Sequence, residues 1–572
     1  MKWIFTYLKP LTPRIAVGLS IKFFATSVEL FIPYLLSHIL ENVIVTNDMG
    51  KIIFYGILMV LCAFTSCVGN ITANRMAAKT TMLFSTAMRR DLFSKTLSLS
   101  ARATDRFTIP SLEARLTSDT YNVQNFVGMM QRMGIRAPIL LIGGTIVTLL
   151  MDRRLALVMI AIMPLIFLVV VGISRRGIPL YTKVQQAVDG MVRVVREDAQ
   201  GIRVIKALSK VPYENARYDK ANMTLRRAET KAGIVTGTVN PLMTLLMNIG
   251  MVSVVGLSAN LVSTGKSSAT TVIAFMQYFT LISMAMMALS RMFVMFTKCT
   301  ASAGRIRTVL EAPNELEQTE DDGKGDPSLH IAFENVCFSY LGKRNNLTDF
   351  SFSLEKGHSL GIIGATGSGK STVLRLLMRF YDTDSGTVRI HGKDIRSYDR
   401  KTLTDMFGVV FQNDFLYADT IEENIRFGRD ISKEAIEKAA KIAQAYDFIT
   451  DFPDGFDHKV TTGGTNLSGG QRQRVLISRA IAGCPEILVL DDSSSALDYK
   501  TDAALRQALS AALPHSTVIT VAQRVSSVKN CDLILVIENG AIIGRGKHEK
   551  LMETCPEYKE ISDSQMGGAF LD

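Results

Sequence analysis

Eight consecutive residues have the types and spacing needed to bind a phosphate chain: residues 364–371 read GATGSGKS and fit the pattern G-x-x-x-x-G-K-[ST]. An apolar run precedes them and a helical pattern follows, which is the strand–loop–helix setting of this motif and argues against a chance glycine-rich turn. Lys370 is expected to reach the terminal phosphates of a nucleoside triphosphate, and Ser371 to hold Mg²⁺. The predicted nucleotide contacts of the loop are Gly364, Thr366, Gly367, Ser368, Gly369, Lys370, Ser371 and Thr372.

Two further stretches could complete a phosphate site. Residues 487–492 read ILVLDD, which predicts a buried parallel strand that delivers the Asp491 carboxylate to Mg²⁺. Residues 466–474 read NLSGGQRQR and lead into an amphipathic helix, so Ser468, the two glycines and the helix N-terminus form a second candidate anion site. Upstream of the phosphate loop, Tyr340 could stack on a purine or could belong to the core.

The composition indicates that these motifs belong to a membrane protein. The chain has 572 residues, too many for one domain, and 47% of them are hydrophobic, with a mean hydropathy of +0.20. The net charge of +11 could indicate nucleic acid or anionic lipid, but many Lys and Arg residues lie between long apolar runs. We therefore expect a lipid bilayer and no nucleic acid as partner. Seven scattered cysteines without a C-x-x-C pair argue against a zinc site or a disulfide framework.

The first half of the chain predicts an α-helical transmembrane domain. Each bilayer crossing takes roughly 20 apolar residues. Six segments qualify, at residues 15–40, 52–73, 126–151, 155–173, 239–262 and 270–296. The connections after the second and fourth segments are long, basic and helical in pattern, so we expect helices that continue into the cytoplasm, with both termini on that side. This orientation follows the rule that cytoplasmic connections carry an excess of Lys and Arg. Arg153 and Arg154 lie in a short connection on the opposite side and are an exception of only two charges.

Two ionisable residues lie inside the first span. Lys22 and Glu29 are seven residues apart and hence on one helical face. They could form a functional pair that lines a substrate pathway. Alternatively, they are structural, either as an ion pair or because the lysine snorkels to the interface, and we favour this structural interpretation. Arg132 and Arg136 are expected at the membrane interface. The methionine-rich residues 284–287 are either plain packing or the lining of an adaptable cavity.

The composition changes between the two halves of the chain. Residues 311–329 are acidic, contain glycine and have few apolar residues. They are predicted to link a transmembrane domain, residues 1–310, to a soluble domain, residues 330–572. Within the soluble part, residues 331–336 and 386–390 alternate like strands, so an α/β domain is expected.

The sequence LSGGQ between a phosphate loop and a strand ending in acid resembles the ATP-binding-cassette (ABC) family. Six spans followed by one cassette are similar to a bacterial ABC exporter half-transporter, and the resemblance extends over nearly the whole chain. It implies an ABC-type α/β P-loop ATPase domain that binds ATP and Mg²⁺. It also implies a dimer whose two cassettes close head to tail, so that each ATP lies between one phosphate loop and the other LSGGQ, here Ser468, Gly469, Gly470 and Gln471.

The resemblance assigns further positions. Gln412 matches the family's Q-loop residue, which links Mg²⁺ to the membrane domain, and Asp498 matches the D-loop. Coupling helices, which transmit cassette motion to the spans, would lie near residues 108–112 and 209–214.

Two positions depart from the family pattern. Asp492 stands where a glutamate usually polarises the attacking water, and Gln523 stands where the family has a switch histidine. The aspartate side chain is one methylene shorter than that of glutamate, so its carboxylate lies more than about 1 Å farther from the attacking water. A misplacement of this size can lower the rate about 100-fold. Gln523 donates a hydrogen bond but cannot carry a positive charge. Together the changes resemble the degenerate subunit of heterodimeric multidrug exporters, whose partner subunit carries the catalytic glutamate and switch histidine. The alternative is a slow but competent homodimer.

The expected function is ATP-driven export of a hydrophobic or amphipathic substrate across the inner (cytoplasmic) membrane. The alternatives are a homodimeric lipid or peptide exporter with slow hydrolysis, and a nucleotide-gated membrane protein that transports nothing. Six spans exclude a soluble or DNA-associated ATPase. An importer is disfavoured because importer membrane domains are usually separate chains. The lack of a peptidase domain before the first span argues against peptide maturation.

Overall fold

The computed structural model describes residues 2–263, 269–313, 316–340, 342, 344–493 and 496–567. The chain divides into two units, Met1–Leu97 with Thr108–Ala312, and Ser98–Phe107 with Pro313–Asp572. Parts of three predicted connections lie outside the described residues: the short loop after the fifth span (264–268), two positions of the linker (314–315) and two positions of the loop before Asp498 (494–495).

All the regular secondary structure described in the first unit is helical. Among the described residues, six helical stretches are long and apolar enough to cross a membrane, one for each predicted span, so the predicted transmembrane fold is confirmed. The helices of this unit are Lys2–Leu8, Thr12–His38, Met49–Leu97, Ile109–Ala114, Thr120–Met133, Arg136–Met151, Arg153–Gln200, Ile202–Ala207, Val211–Gly237, Val239–Ser263 and Ala269–Leu310.

Two helices are much longer than a bilayer requires. Met49–Leu97 has 49 residues and Arg153–Gln200 has 48. At 1.5 Å per residue each is about 70 Å long, more than twice the roughly 30 Å of a hydrocarbon core. The apolar spans therefore continue as helices into the basic segments that follow them, as the helical pattern predicted.

The third predicted span is interrupted. One helix ends at Met133 and the next begins at Arg136, with Gly134 as the C-cap of the first. Pro138 lies in the first turn of the second helix and has no N–H group to donate to the carbonyl four residues earlier. The missing donor is a local reason for the break, which hydropathy alone does not register.

Short helices occur before the positions predicted for the coupling helices. Helices Ala101–Phe107 and Ile202–Ala207 precede residues 108–112 and 209–214. The predicted positions instead contain the starts of the next helices, where Pro110 and Pro212 occupy the first turn. A proline suits the first turn of a helix and not its interior, so each proline begins a new helix there.

The second unit is an α/β domain with two sheets. A four-stranded antiparallel sheet has the order β2-β1-β4-β5, and a six-stranded sheet has the order β10-β9-β3-β8-β7-β6. In the second sheet β9, β3, β8, β7 and β6 are parallel. The strands are β1 Leu329–Phe338, β2 Leu347–Glu355, β3 Ser359–Ile363, β4 Ser385–Ile390, β5 Lys393–Asp394, β6 Phe407–Val410, β7 Ile487–Asp491, β8 Thr517–Val521, β9 Leu533–Glu538 and β10 Ala541–Gly546.

The strands predicted from alternation and from apolar runs are confirmed as β1, β3, β4 and β7. Every residue of β7 is buried, which is the pattern of a central parallel strand. The helices of this unit are Ala101–Phe107, Lys370–Leu377, Arg400–Asp405, Ile421–Arg426, Lys433–Ile442, Tyr446–Thr450, Gly469–Ile481, Tyr499–Ala512, His548–Thr554 and Pro556–Gly567.

Candidate functional site

The phosphate-binding motif connects β3 to the helix Lys370–Leu377, as predicted. Two of its glycines are required by the backbone and its surroundings. Gly369 has a φ of +108°, a conformation that strains any residue with a Cβ. A Cβ on Gly364 would lie 2.1 Å from the carbonyl oxygen of Ile537, so no side chain fits there.

Two side chains of the loop have the chemistry of a phosphate site. Ser368 Oγ is buried and has no hydrogen-bond partner within the described residues. Lys370 Nζ donates to the carbonyl oxygens of Gly364 and Ala365, each at 2.8 Å. Burial lowers the pKa of Lys370, and two nearby carboxylates oppose that shift. A bound phosphate would give the orphaned hydroxyl a partner and the desolvated ammonium a counter-charge, so the residues present fit this group.

Oxygen atoms suited to Mg²⁺ converge beside the loop. Ser371 Oγ donates to Asp491 Oδ2 at 3.2 Å. Burial raises the pKa of Asp491 and the neighbouring Asp492 raises it further, while Ser371 and Lys370 oppose the rise. A hydroxyl and desolvated carboxylates are hard oxygen ligands, which fit Mg²⁺. Ser371 and Asp491, which were predicted as metal ligands from the phosphate loop and from the strand ILVLDD, therefore lie together.

The positions singled out by the family resemblance also meet. Gln523 Nε2 donates to Asp492 Oδ2 at 3.4 Å. Burial raises the pKa of Asp492, whereas the charges of Arg524 and Lys370 and a hydrogen bond with Gln412 lower it. The candidate switch residue and the Q-loop residue thus both contact the carboxylate of the candidate base.

One pocket of about 260 Å³ contains most of the predicted site. Its lining includes four residues that sequence reasoning missed: Asn346, Arg375, Val521 and Ala522. The full lining is Tyr340, Asn346, Thr366, Gly367, Gly369, Lys370, Ser371, Thr372, Arg375, Gln412, Asp491, Asp492, Val521, Ala522 and Gln523. Arg375 follows Ser371 by four residues on the same helix, so helical periodicity could have identified it. Asn346 lies in the connection between β1 and β2, where no sequence pattern identifies it as a site residue.

Tyr340 lies at the border between the pocket and the core. Its hydroxyl is 3.4 Å from Thr372 Oγ1 and accepts a hydrogen bond from Arg375 at 3.2 Å. Its ring meets those of Phe338 and Tyr381 edge to face, with centroids 4.8 and 5.1 Å away. Both interpretations of this residue are therefore compatible: the ring packs against the core and also lines the pocket.

The LSGGQ residues lie outside this pocket, at the start of the helix Gly469–Ile481. Ser468 Oγ accepts from the Gln471 N–H at 3.3 Å, and the Gln471 side chain accepts from the Ser468 N–H at 2.9 Å. This capping box fixes the first turn while Ser468 and Gly469 stay exposed. The helix N-terminus thus presents its donors at the surface of the unit.

The segment that contains Asp498 packs against this turn. Cβ atoms built on Gly469 and Gly470 would lie 3.6 Å and 3.2 Å from atoms of Ala496. Asp498 accepts from the N–H and hydroxyl of Thr501 at 2.9 and 2.7 Å, and these bonds lower its pKa. The carboxylate therefore caps the helix Tyr499–Ala512 and holds the adjoining loop in place.

Lys22 and Glu29 have separate partners in the first unit and do not pair with each other. Lys22 Nζ donates to Asn70 Oδ1 at 2.7 Å and to Asn74 Oδ1 at 3.1 Å. Glu29 pairs instead with Arg136, at 2.8 Å. Lys22 is 3% exposed, so it does not snorkel. The expectation that Arg136 belongs to the interface overlooked this long-range partner.

Comparisons with known proteins extend over both units. A family model described as the ABC transporter transmembrane region matches residues 15–286, and one described as ABC transporter matches residues 347–495. An uncharacterized ABC transporter ATP-binding protein of Bacillus subtilis (strain 168) is 32% identical over 569 residues, covering 99% of this chain and 99% of the relative. One of Mycobacterium tuberculosis (strain ATCC 25618 / H37Rv) is 30% identical over 566 residues, covering 98% of this chain and 97% of the relative.

A solved structure is similar over nearly the same extent. It is a bacterial Atm1-family ABC exporter with ATP bound, with a TM-score of 0.83 and 23% sequence identity. The match covers 97% of this chain and 98% of the other. At this identity the similarity concerns the fold.

The phosphate loop gives a direct test of nucleotide binding. Lys370→Ala should weaken ATP binding to the full-length chain roughly 10- to 100-fold, because a charge-assisted interaction worth about 1.5–3 kcal/mol is lost. Binding of a fluorescent ATP analogue to the purified protein measures the change. The matched control is Lys438→Ala, which removes an exposed lysine from a helix of the same unit. Equal affinity for both variants would contradict the site.

Proposed function

The chain belongs to the ABC transporter family, and from that premise we propose that it is one subunit of an ATP-driven exporter. The proposal is supported above all by one arrangement: Lys370, Ser371 and Asp491 share a pocket, and the described residues of the same chain include six helices that could cross a membrane. The family and the fold support ATP hydrolysis coupled to transport. We further propose that the chain exports its substrate, that it works with a partner subunit, and that the cassette and both termini lie in the cytoplasm.

In this proposal the chain's own residues bind and orient the nucleotide. Lys370, Ser368 and the loop amides hold the phosphates, and Tyr340 stacks on the purine. Ser371, Gln412 and Asp491 hold Mg²⁺, which when bound offsets negative charge on the phosphates. Closure of two cassettes would then move the membrane helices toward an outward-open state, and hydrolysis would reset them.

We propose a dimer because the LSGGQ residues, Ser468 to Gln471, which we call the signature turn, lie outside the nucleotide pocket of the same chain. Ser468 and Gly469 are exposed at a helix N-terminus, a geometry that favours an anion from outside the unit. We infer that this turn, with the Asp498 segment packed behind it, completes the ATP site of the partner subunit.

We further propose that the partner is a different chain with a stronger catalytic site. The Asp492 carboxylate has two amide side chains as hydrogen-bond donors, those of Gln412 and Gln523. An amide N–H that donates to this carboxylate is not available to a γ-phosphate, and the carboxylate lies farther from an attacking water than that of a glutamate would. The engaged amides and the short carboxylate would both slow the attack of water on the γ-phosphate. A homodimer with slow hydrolysis remains the alternative, and its two sites would be equal.

The proposed substrate is hydrophobic or amphipathic. A pocket of about 160 Å³ in the membrane unit is lined by three methionines, leucines, alanines and two arginines, among them Met133, Met284, Met287, Arg136 and Arg291. Methionine side chains adapt to ligands of different shape, and the two arginines add charged groups to an otherwise apolar lining. This lining supports the adaptable-cavity interpretation of the methionine-rich run.

Transport itself is tested by accumulation against a gradient. Proteoliposomes containing the chain and its co-purified partner should concentrate a fluorescent amphiphilic dye above the bath level when ATP is added. A non-hydrolysable ATP analogue should give no accumulation. A nucleotide-gated channel would only equilibrate the dye, so equal concentrations on both sides would favour that alternative.

The division of labour between the two sites is tested by single substitutions in the assembled pair. Ser468→Ala should lower ATPase activity roughly 10-fold or more, because it removes a donor from the partner's competent site, whereas Asp492→Asn should have little effect. Ser432→Ala is the matched control, since Ser432 caps the helix Lys433–Ile442 with the same 3.3 Å bond but lies in no signature. A larger loss with Asp492→Asn would overturn the heterodimer assignment.

The weakness of the chain's own site should be reversible. Asp492→Glu combined with Gln523→His should raise turnover in a pair whose partner carboxylate has been neutralised, so that this site alone is active. The glutamate would approach the attacking water to about 2.6–3.2 Å, and the histidine would donate where charge builds on the γ-phosphate. The control is each single substitution, which should gain less than the pair. Unchanged turnover, with the partner's signature intact, would mean that other residues cause the slow rate.

A further inference from the structure

Two histidines and a glutamate meet on the second unit, away from the nucleotide pocket. His330 lies in β1, His391 follows β4, and Glu486 precedes β7. One ligand atom from each lies within 4.8 Å of the others. Glu486 Oε1 is 3.0 Å from His391 Nε2 and 3.6 Å from His330 Nε2. The three residues converge because the ends of two different sheets meet here.

The buried histidine has an unsatisfied nitrogen that faces the cluster. The His330 side chain is 0% exposed, and its Nε2 has no hydrogen-bond partner among the described residues. Its Nδ1 is 2.6 Å from Thr517 Oγ1. If Nδ1 carries the proton and donates to Thr517, Nε2 presents a lone pair to the cluster, which is how a metal-binding histidine is oriented. In the other tautomer an Nε2–H would face a carboxylate at 3.6 Å, too far for a hydrogen bond.

We propose that His330, His391 and Glu486 form a binding site for Zn²⁺. Imidazole nitrogen and carboxylate oxygen are ligands that Zn²⁺ accepts, at about 2.0–2.2 Å. Ligands at that distance in a tetrahedron lie about 3.3 Å apart, and the 3.0 and 3.6 Å separations bracket this value. The His391 and Glu486 side chains are 34% and 29% exposed, so the ion has a path from solvent and a fourth position for water.

One cation competes for this site. Lys356 Nζ is 2.6 Å from Glu486 Oε1, and its side chain is 56% exposed. A lysine on a long flexible stem can swing into solvent when a divalent ion neutralises the carboxylate.

The position of the site indicates what the ion would do. β1 and β4 belong to the four-stranded sheet, and β7 belongs to the six-stranded sheet. Glu486 precedes β7, and Asp491 ends it. The two residues are five positions apart along an extended chain, which places their Cα atoms about 16 Å apart. The ion would therefore join the two sheets at the end opposite the phosphate loop, and would stabilise the unit without touching the nucleotide.

The test uses the full-length chain, purified in detergent and stripped of metal with a chelator. Zn²⁺ is titrated against a fluorescent zinc indicator, and unfolding temperature is measured with and without Zn²⁺. Wild type should bind one Zn²⁺ at this site and unfold at a higher temperature when it is bound. His391→Ala should weaken this binding at least about 10-fold and abolish the thermal shift. His391 is partly exposed, so the variant should fold.

Two matched variants separate the site from general metal binding. His358→Ala removes a histidine outside the cluster and should bind Zn²⁺ like wild type. Lys356→Met removes the competing cation and should bind more tightly than wild type. Equal Zn²⁺ affinity of His391→Ala and wild type, or no saturable binding by wild type, would overturn the proposal and leave an ion pair beside two tilted histidine rings, with centroids 4.6 Å apart. Because the readout is metal binding, it is independent of ATP turnover and of the export proposal.

Discussion

The register of three parallel strands fixes the nucleotide pocket. Ile362 of β3 pairs with Val521 of β8, and Val521 pairs with Asp491 of β7, so these residues form one row across the sheet. Parallel strands end at the same edge, and the residues just beyond this row are the phosphate loop, Gln523 and Asp492. A slip of one residue in either pairing would turn Asp491 to the opposite face and separate it from Ser371. The burial of β7 sets this register, because its four apolar side chains pack into the core on the two faces of the sheet, and Asp491 ends the strand at the pocket.

The same arrangement concentrates charge where water is scarce. Lys370, Asp491 and Asp492 are partly or fully withdrawn from solvent, and burial is the main influence on the pKa of each. Burying ionised groups destabilises a fold unless they acquire partners. A polyphosphate with a divalent cation supplies opposite charges to both the ammonium and the carboxylates. The cost of desolvation is thus offset chiefly in the bound state, which is consistent with a site built for a charged ligand.

Local patterns in the sequence predicted the parts of the structure that depend on neighbours in the chain. The six spans, the strands β1, β3, β4 and β7, and the phosphate loop all follow from hydropathy, alternation and glycine spacing. The break at Gly134 and the helix starts at Pro110 and Pro212 depend on single prolines, whose effect a hydropathy window averages away.

What could not be predicted depends on residues far apart in the chain. The bond between Glu29 and Arg136 joins positions 107 residues apart, and no spacing rule links them. The cluster of His330, His391 and Glu486 likewise brings together residues that are far apart in the chain. Cysteine spacing argued against a zinc site, but it is silent on ligands that come together only when two sheets meet. Contacts of this kind follow from topology, which a single sequence specifies only through its complete fold.

The chain also separates two tasks in space. The groups that would act on its own nucleotide follow β3, β7 and β8, whereas Ser468 to Gln471 begin another helix and are held by their own capping box. That turn packs against Ala496, which lies shortly before Asp498. A change at Asp492 or Gln523 therefore leaves the signature turn intact. This independence gives a physical reason why a subunit could lose efficient chemistry in its own pocket and still complete the pocket of a partner.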